Sequence, residues 1–272
     1  MLLGRKEECA LFAKNRKEEI KKILFEVHSV KVSDLVSLFN VSEETIRRDL
    51  KQFENEGLTE KYYGGAILLE EHKLAIESIL TIEQRKNRFY KEKDIIGKKA
   101  SELILNGQNI IIDAGTTTWC IAKYLKKHED VMIMTNGLII AEECCQNEEI
   151  SVYLTGGKIF KKSLCTIGPS TLKELQKFSV DSVFLGVAGI TCEKGFTSFD
   201  IYEAEIKRAM ISVGKKTVIV ADHGKFGCDG LVSFAGFEDI DVLITTDLAD
   251  NTILEKIKNH GVKIIICPTE KG

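Results

Sequence analysis

The residues of this chain best suited to binding chemistry are small and hydroxylated, and they recur where apolar runs end. The run Asn109-Ile110-Ile111-Ile112 leads into Asp113-Ala114-Gly115-Thr116-Thr117-Thr118 and then into a helical stretch. Glycine permits a tight turn there, and threonine hydroxyls and the free N–H groups of a helix start converge on one point, as a backbone does when it cradles an anion. The Walker pattern G-x-x-x-x-G-K-[ST] and the dinucleotide pattern G-x-G-x-x-G are both absent, and an ordinary capped turn accounts for the same residues. Repetition distinguishes the site: Thr135-Asn136-Gly137, Thr155-Gly156-Gly157, Gly186-Val187-Ala188-Gly189 and Asp222-His223-Gly224-Lys225 follow further apolar runs. A crevice lined by such ends suits a polar metabolite, with Lys225 as the cation for a phosphate and Asp113 and Asn136 as partners for hydroxyls. His223 is expected to be structural. No cofactor or metal is implied, because the eight cysteines are scattered without C-x-x-C spacing and fit neither a disulfide framework nor a zinc cluster; they are expected as reduced, packed thiols.

A second kind of chemistry lies near the start. Laid out at 100° per residue, Ile46, Leu50 and Phe53 share one arc, and Glu44, Arg47, Arg48 and Lys51 occupy the opposite one, flanked by Thr45 and Gln52. Guanidinium groups on such a face pair with guanine edges or phosphates, and Thr or Gln reads bases. Ser42 is placed to cap this helix, with Glu43 and Glu44 at its positive end.

The elements that must position these residues follow from periodicity. Ile20, Ile23, Leu24 and Val27 mark a helix between residues 15 and 27; a second, capped by Ser33, carries Leu35, Val36, Leu38 and Phe39; a tight turn at Asn40-Val41 leads to the third. That is a helix-turn-helix pattern. The segment LTEKYYGGAILLE predicts a β-hairpin around Gly64-Gly65, a wing that lays Lys61, Tyr62 and Tyr63 along a sugar-phosphate backbone. Residues 1–66 carry 12 Lys+Arg and 12 Asp+Glu, so charge alone fits a three-helix protein-interaction module equally well.

Beyond residue 94, β-branched runs at 109–113, 131–135, 150–155, 181–187, 217–222, 242–247 and 262–267 alternate with helical stretches around 117–127, 138–146, 170–177, 203–213 and 249–259. Strands this apolar, interleaved with helices, predict a mostly parallel α/β sheet covered on both faces, with ligands beyond the carboxyl ends of its strands. Residues 70–93, rich in Lys, Glu and Arg, read as a helical connector. The net charge of −3 announces no polyanion partner globally. No apolar run approaches the roughly 18 residues of a membrane span, so no membrane partner is expected and the expected location is the cytoplasm.

The stretch VSEETIRRDLKQFENEGLTEKYYGGAIL resembles the amino-terminal signature of the DeoR family of bacterial transcriptional regulators, V-S-x-x-T-I-R-R-D-L followed by a H-G-G-A wing, with Tyr63 standing where the family has His. The later half is similar to that family's sensor domain in D-x-G-T-T, T-N, G-G and D-x-x-K-F. In the connector, Arg85 and the Glu92-Lys93 pair match the family pattern, and a solvated helix and a ligand role for Arg85 both remain open. The resemblance implies a winged helix-turn-helix domain (1–69), a linker (70–93) and a sensor domain (94–272) similar to ribose-5-phosphate isomerase. It implies a repressor of a sugar-metabolism operon whose partners are double-stranded operator DNA and a phosphorylated sugar. Ser42, Glu44, Thr45, Arg47, Arg48, Lys51, Lys61 and Tyr63 would meet DNA; Asp113, Gly115, Thr116, Thr117, Thr118, Thr135, Asn136, Gly156, Gly157, Glu203 and Lys225 would form the effector site. Within it, Gly115-Thr116-Thr117 corresponds to the phosphate loop, and Glu203 and Lys225 to an acid and a lysine of the isomerase. The isomerase's paired aspartates have no counterpart in Leu185-Gly186-Val187-Ala188-Gly189-Ile190, which weighs against the alternative, an isomerase-like enzyme tethered to an interaction module. One short recognition helix gains affinity from a second copy on a neighbouring half-site, so a homo-oligomer is expected.

Overall fold

The computed structural model describes residues 15–25, 29–62, 64–69 and 80–269, and the chain divides into two compact units, Met1–Ile79 and Leu80–Gly272. The first unit holds α1 (residues 15–25), β1 (Ser29–Lys31), α2 (Val32–Phe39), α3 (Glu43–Asn55), β2 (Thr59–Tyr62) and β3 (Gly65–Leu68). Its three strands form an antiparallel sheet in the order β1-β3-β2, so the hairpin gains a third strand that is too short to register in the sequence. Ile20, Leu24, Leu35, Ile46, Leu50 and Phe53 make the core, and burial of each such side chain stabilises by about 1.5–3 kcal/mol.

Two local expectations are corrected. Ser33 does not cap α2, which starts two residues earlier than such a cap would place it, with Lys31 at the N-cap and no side-chain cap. Strand β1 runs straight into the helix, and the Val32 N–H donates instead to the Gly64 carbonyl (2.8 Å). Leu38, expected among the apolar positions, is exposed. The turn is as expected, with Asn40 in the left-handed conformation at φ 49°. Val27, Tyr63, Cys9 and residues 70–79 lie outside the described residues.

The second unit opens with α4 (Ile82–Asn87) and α5 (Tyr90–Ser101), so residues 80–93 of the expected connector belong to it. There follow β4 (Asn109–Ile112), α6 (Thr116–Ala122), β5 (Val131–Thr135), α7 (Leu138–Cys144), β6 (Ile150–Leu154), β7 (Lys158–Phe160), β8 (Cys165–Ile167), α8 (Pro169–Leu175) and β9 (Ser182–Gly186). The unit closes with β10 (Gly189–Thr191), β11 (Gly195–Ser198), α9 (Ile201–Val213), β12 (Thr217–Val220), β13 (Val232–Ala235), β14 (Val242–Thr246), α10 (Asn251–Asn259) and β15 (Lys263–Cys267). All seven apolar runs become strands of one parallel sheet, β15-β14-β12-β9-β4-β5-β6. Side chains alternate between faces along a strand. Ile111, Val183, Leu185 and Ile219 therefore pack with α9 and α10, while Ile110, Ile112, Phe184 and Val218 pack with α5, α6 and α7. Gly97 lets α5 approach α6, since a Cβ there would lie 2.5 Å from the Cys120 backbone.

Two smaller features were not foreseen, the β7-β8 hairpin and the antiparallel sheet β10-β11-β13. The chain leaves β4 for β5 and β6, then returns to β9 on the other side of β4. The order of the sheet thus reverses between β4 and β9, which is where such sheets open a crevice for ligands.

Candidate DNA-binding face and effector crevice

Glu44, Thr45, Arg47, Arg48 and Lys51 of α3, with Lys61 and Tyr62 of β2, line one open groove between recognition helix and wing. The helix is held from behind. Asp49 is buried and accepts from Arg16 Nε of α1 (2.8 Å), which fixes the rotation of α3 about its axis. Ser42 works as the cap: its hydroxyl accepts from the Thr45 N–H (3.3 Å) and lies 2.9 Å from Thr45 Oγ1. Arg47 is braced by Glu43 (2.9 and 2.5 Å) and Lys51 by Glu54 (2.9 Å). Pairs this exposed are worth little.

In the second unit the structure brings Asp113, Gly115–Thr118, Asn136 and Glu203 to the sheet's switch point, but many of their polar atoms are already committed. Asp113 is buried, accepts from Lys207 Nζ of α9 and takes the Gly186 N–H (3.3 Å). Lys207 also donates to the Gly186 carbonyl (2.9 Å), so one buried ion pair bridges β4 and β9. Burial pushes the Asp113 carboxyl up, against the pull of Lys207. The expected convergence of three threonine hydroxyls does not form, because Thr118 is fully buried and its hydroxyl turns back to the carbonyls of Asp113 (2.6 Å) and Gly115 (3.0 Å). Thr135 likewise accepts from the Gly137 N–H, and Asn136 accepts from the Ala114 N–H (both 3.0 Å). These two tie strand ends together.

Thr116 remains at the crevice, its hydroxyl accepting from the buried Lys93 (3.2 Å). Glu203 accepts from Ser198 (3.5 Å) and faces the Cys165 thiol (4.0 Å). Gly156 and Gly157 stand apart, beyond β6; the Gly156 N–H donates to Glu174 (2.6 Å) and its carbonyl accepts from Thr171 (2.7 Å). Lys225 ends a short 3-10 helix, His223–Lys225, and is half-buried. Its neighbour His223 is structural, as expected, donating through Nδ1 to Glu92 (2.7 Å) with its ring edge-to-face on Phe89. Burial opposes charge on both partners, but the hydrogen bond between them prevails: His223 is raised and Glu92 lowered, with Thr246 also donating to Glu92.

Lys207 and Lys93 were not foreseen as site residues. Lys207 stands four residues after Glu203 on α9, and i, i+4 spacing places both on one helix face, so the signal was available. Lys93 gave only its place in a family-like pair.

A winged helix-turn-helix unit with a basic recognition face, followed by a parallel α/β unit with polar residues gathered at the switch point of its sheet, defines a DNA-binding regulator with a separate sensing unit. Residues 16–72 match the DeoR-like helix-turn-helix domain and residues 88–247 the DeoR C terminal sensor domain. The putative aga operon transcriptional repressor of Escherichia coli O157:H7 is 33% identical over 92% of this chain and 93% of its own. The glycerol-3-phosphate regulon repressor of Escherichia coli (strain K12) is 31% identical over 88% and 92%. The chain belongs to the DeoR family of transcriptional regulators. It is a DNA-binding transcriptional regulator. Among solved structures, ribose 5 phosphate isomerase A from Neisseria gonorrhoeae overlaps 50% of this chain and 53% of its own, at 16% identity and a TM-score of 0.37. Among the described residues, no helix is long and apolar enough to cross a membrane.

Proposed function

We propose that a phosphorylated sugar, held in the crevice of the second unit, sets the operator affinity of this repressor, and that the protein acts as a homo-oligomer in the cytoplasm. The carrying observation is the Asp113–Lys207 pair buried at the switch point beside the Gly115–Thr117 loop. A buried ion pair is seldom retained for stability; at the place where such sheets bind ligands, it supplies charge and fixed orientation to a polar guest. In this reading Gly115, Thr116 and Thr117 take the phosphate together with Lys225. Asp113 and Glu203 face the sugar, and Thr118, Thr135 and Asn136 hold the strand ends beneath it. Gly156 and Gly157 form the outer rim. The relative named for the glycerol-3-phosphate regulon, whose name contains a phosphorylated polyol, points the same way.

Thermal-shift screening of the full chain against triose, pentose and hexose phosphates tests this. A ligand at 100 times its dissociation constant adds about 2.7 kcal/mol, or about 5–11 °C for a unit of this size. If no phosphorylated sugar moves the transition while the operator still binds, the effector class is wrong.

A further inference from the structure

Lys93 is 3% exposed on α5, and a lysine buried so far must be using its charge. Its Nζ donates to the Arg85 carbonyl (2.6 Å) and to Thr116 Oγ1 (3.2 Å), and stands 4.0 Å from Asp222 Oδ2. Asp222 is entirely buried, and neither carboxylate oxygen receives a hydrogen bond from any described residue. Two of the acceptors Lys93 serves are thus neutral, while the Asp222 carboxylate nearby stays beyond hydrogen-bond reach, although charge-assisted bonds are about twice as strong as neutral ones.

The two neutral acceptors belong to different parts of the unit. Thr116 is in the candidate phosphate loop. Arg85 lies in the last turn of α4, where the final carbonyls of a helix have no partner within it, so Lys93 acts as the cap of α4. That helix is also hooked to the loop's own helix, with Lys86 Nζ 4.3 Å above the Trp119 ring of α6, and to the β7-β8 turn, with Arg85 Nη2 donating to the Lys162 carbonyl (2.6 Å). In the sequence α4 is the first helix of the sensing unit, thirteen residues (69–81) after the last wing strand.

We propose that Lys93 is the coupling residue of this repressor, the side chain through which occupancy of the Gly115–Thr117 loop is passed to α4; the inference rests on the sugar-phosphate reading above. Because Thr116 Oγ1 accepts from Lys93, its own proton is free to point at a phosphate oxygen. A phosphate held there draws Lys93 by its charge, and the bond to the neutral Arg85 carbonyl gives way. The end of α4 then loses its cap. Lys93 is a positioning residue in this scheme, acting on the loop from behind.

The test uses the full chain, a fluorescent operator duplex, and whichever triose, pentose or hexose phosphate most raises the wild-type melting temperature. The double variant Lys93→Met/Asp222→Asn removes both buried charges together, so no orphan is left; Lys93→Gln is the second variant, and Lys93→Arg the conservative rescue. Allosteric coupling is commonly about 5–150-fold. The double variant and Lys93→Gln should bind operator alone within about threefold of wild type, while the effector's influence on operator affinity, read at sugar-phosphate concentrations that saturate each variant, falls below about twofold. Lys93→Arg should restore it. Full coupling in either charge-removed variant overturns the proposal. If no sugar phosphate binds the wild type, the reading beneath it fails too; if the wild type binds and responds, only the role of Lys93 is at stake.

Discussion

Replacing Lys207 with Met should cost the second unit about 3–5 kcal/mol at pH 7. The methionine keeps most of the aliphatic stem, so the loss is electrostatic: Asp113, 3% exposed, is left with only the 3.3 Å bond from the Gly186 N–H. Breaking one side of a buried pair costs that much because the survivor is an uncompensated charge. Trp119, the sole tryptophan, sits on α6, so its fluorescence follows this unit in the intact chain. With a urea m-value near the upper end of about 1–3 kcal/mol per molar, the midpoint falls by at least about 1 M. The double variant Asp113→Asn/Lys207→Met should recover most of the loss, since exchanging a buried pair for neutral groups is often close to neutral. Lys215→Met breaks an exposed pair with Asp181 and should cost less than about 1 kcal/mol. The sign with pH follows from Asp113, whose folded carboxyl is raised by burial and more so without Lys207. The protonated form stabilises the fold at low pH and that stability is lost as pH rises, so the penalty grows between about pH 4 and 7. A penalty no larger than that of Lys215→Met, or one flat with pH, refutes the reasoning.

Arg47→Ala and Arg48→Ala should each lower operator affinity by about 1–3 kcal/mol where the side chain pairs with a base; unchanged gel shifts in the double variant with normal circular dichroism would remove α3 from the DNA. Lys225→Ala should weaken the sugar phosphate by about 1.5–3 kcal/mol in calorimetry and leave effector-free operator binding intact; equal affinity misplaces the phosphate. His223 is raised from its usual 6.5 and Glu92 lowered from 4.5, so the pair's contribution is whole between those values. It is lost as pH rises through the folded His223 value or falls through that of Glu92. The melting-temperature gap between wild type and His223→Gln should therefore be widest near pH 5–6.5 and narrow toward pH 9.

The sheet was legible because each strand is buried on both faces and reads as an unbroken apolar run, as in Ile110-Ile111-Ile112 and Val183-Phe184-Leu185. The recognition face was legible because Ile46, Leu50 and Phe53 need one core. Strands of three or four residues, such as β1 or β10, leave no period to detect. The cluster of polar strand ends was legible in place but not in wiring. Thr118, Thr135 and Asn136 have the right types for a ligand, yet their polar atoms close turns and join strand ends, and no spacing rule tells a hydroxyl aimed at a ligand from one aimed at its own backbone. Lys207 and Lys93 escaped for the opposite reason, since a lysine in a helix is usually a solvated one.

That wiring explains why the crevice suits a regulator. At this switch point Asp113 is paired with Lys207 and Glu203 accepts from Ser198, while Lys93 donates to the Arg85 carbonyl and to Thr116. A guest arriving there must displace or outbid a partner that already exists. For a catalyst such exchange is a cost, because binding energy goes into rearrangement. For a repressor it is the means of response, since a ligand shifts a conformational equilibrium only by its difference in affinity for the two states. A metabolite that settled in this crevice without disturbing Asp113–Lys207 or the bonds that hold Lys93 would bind and change nothing.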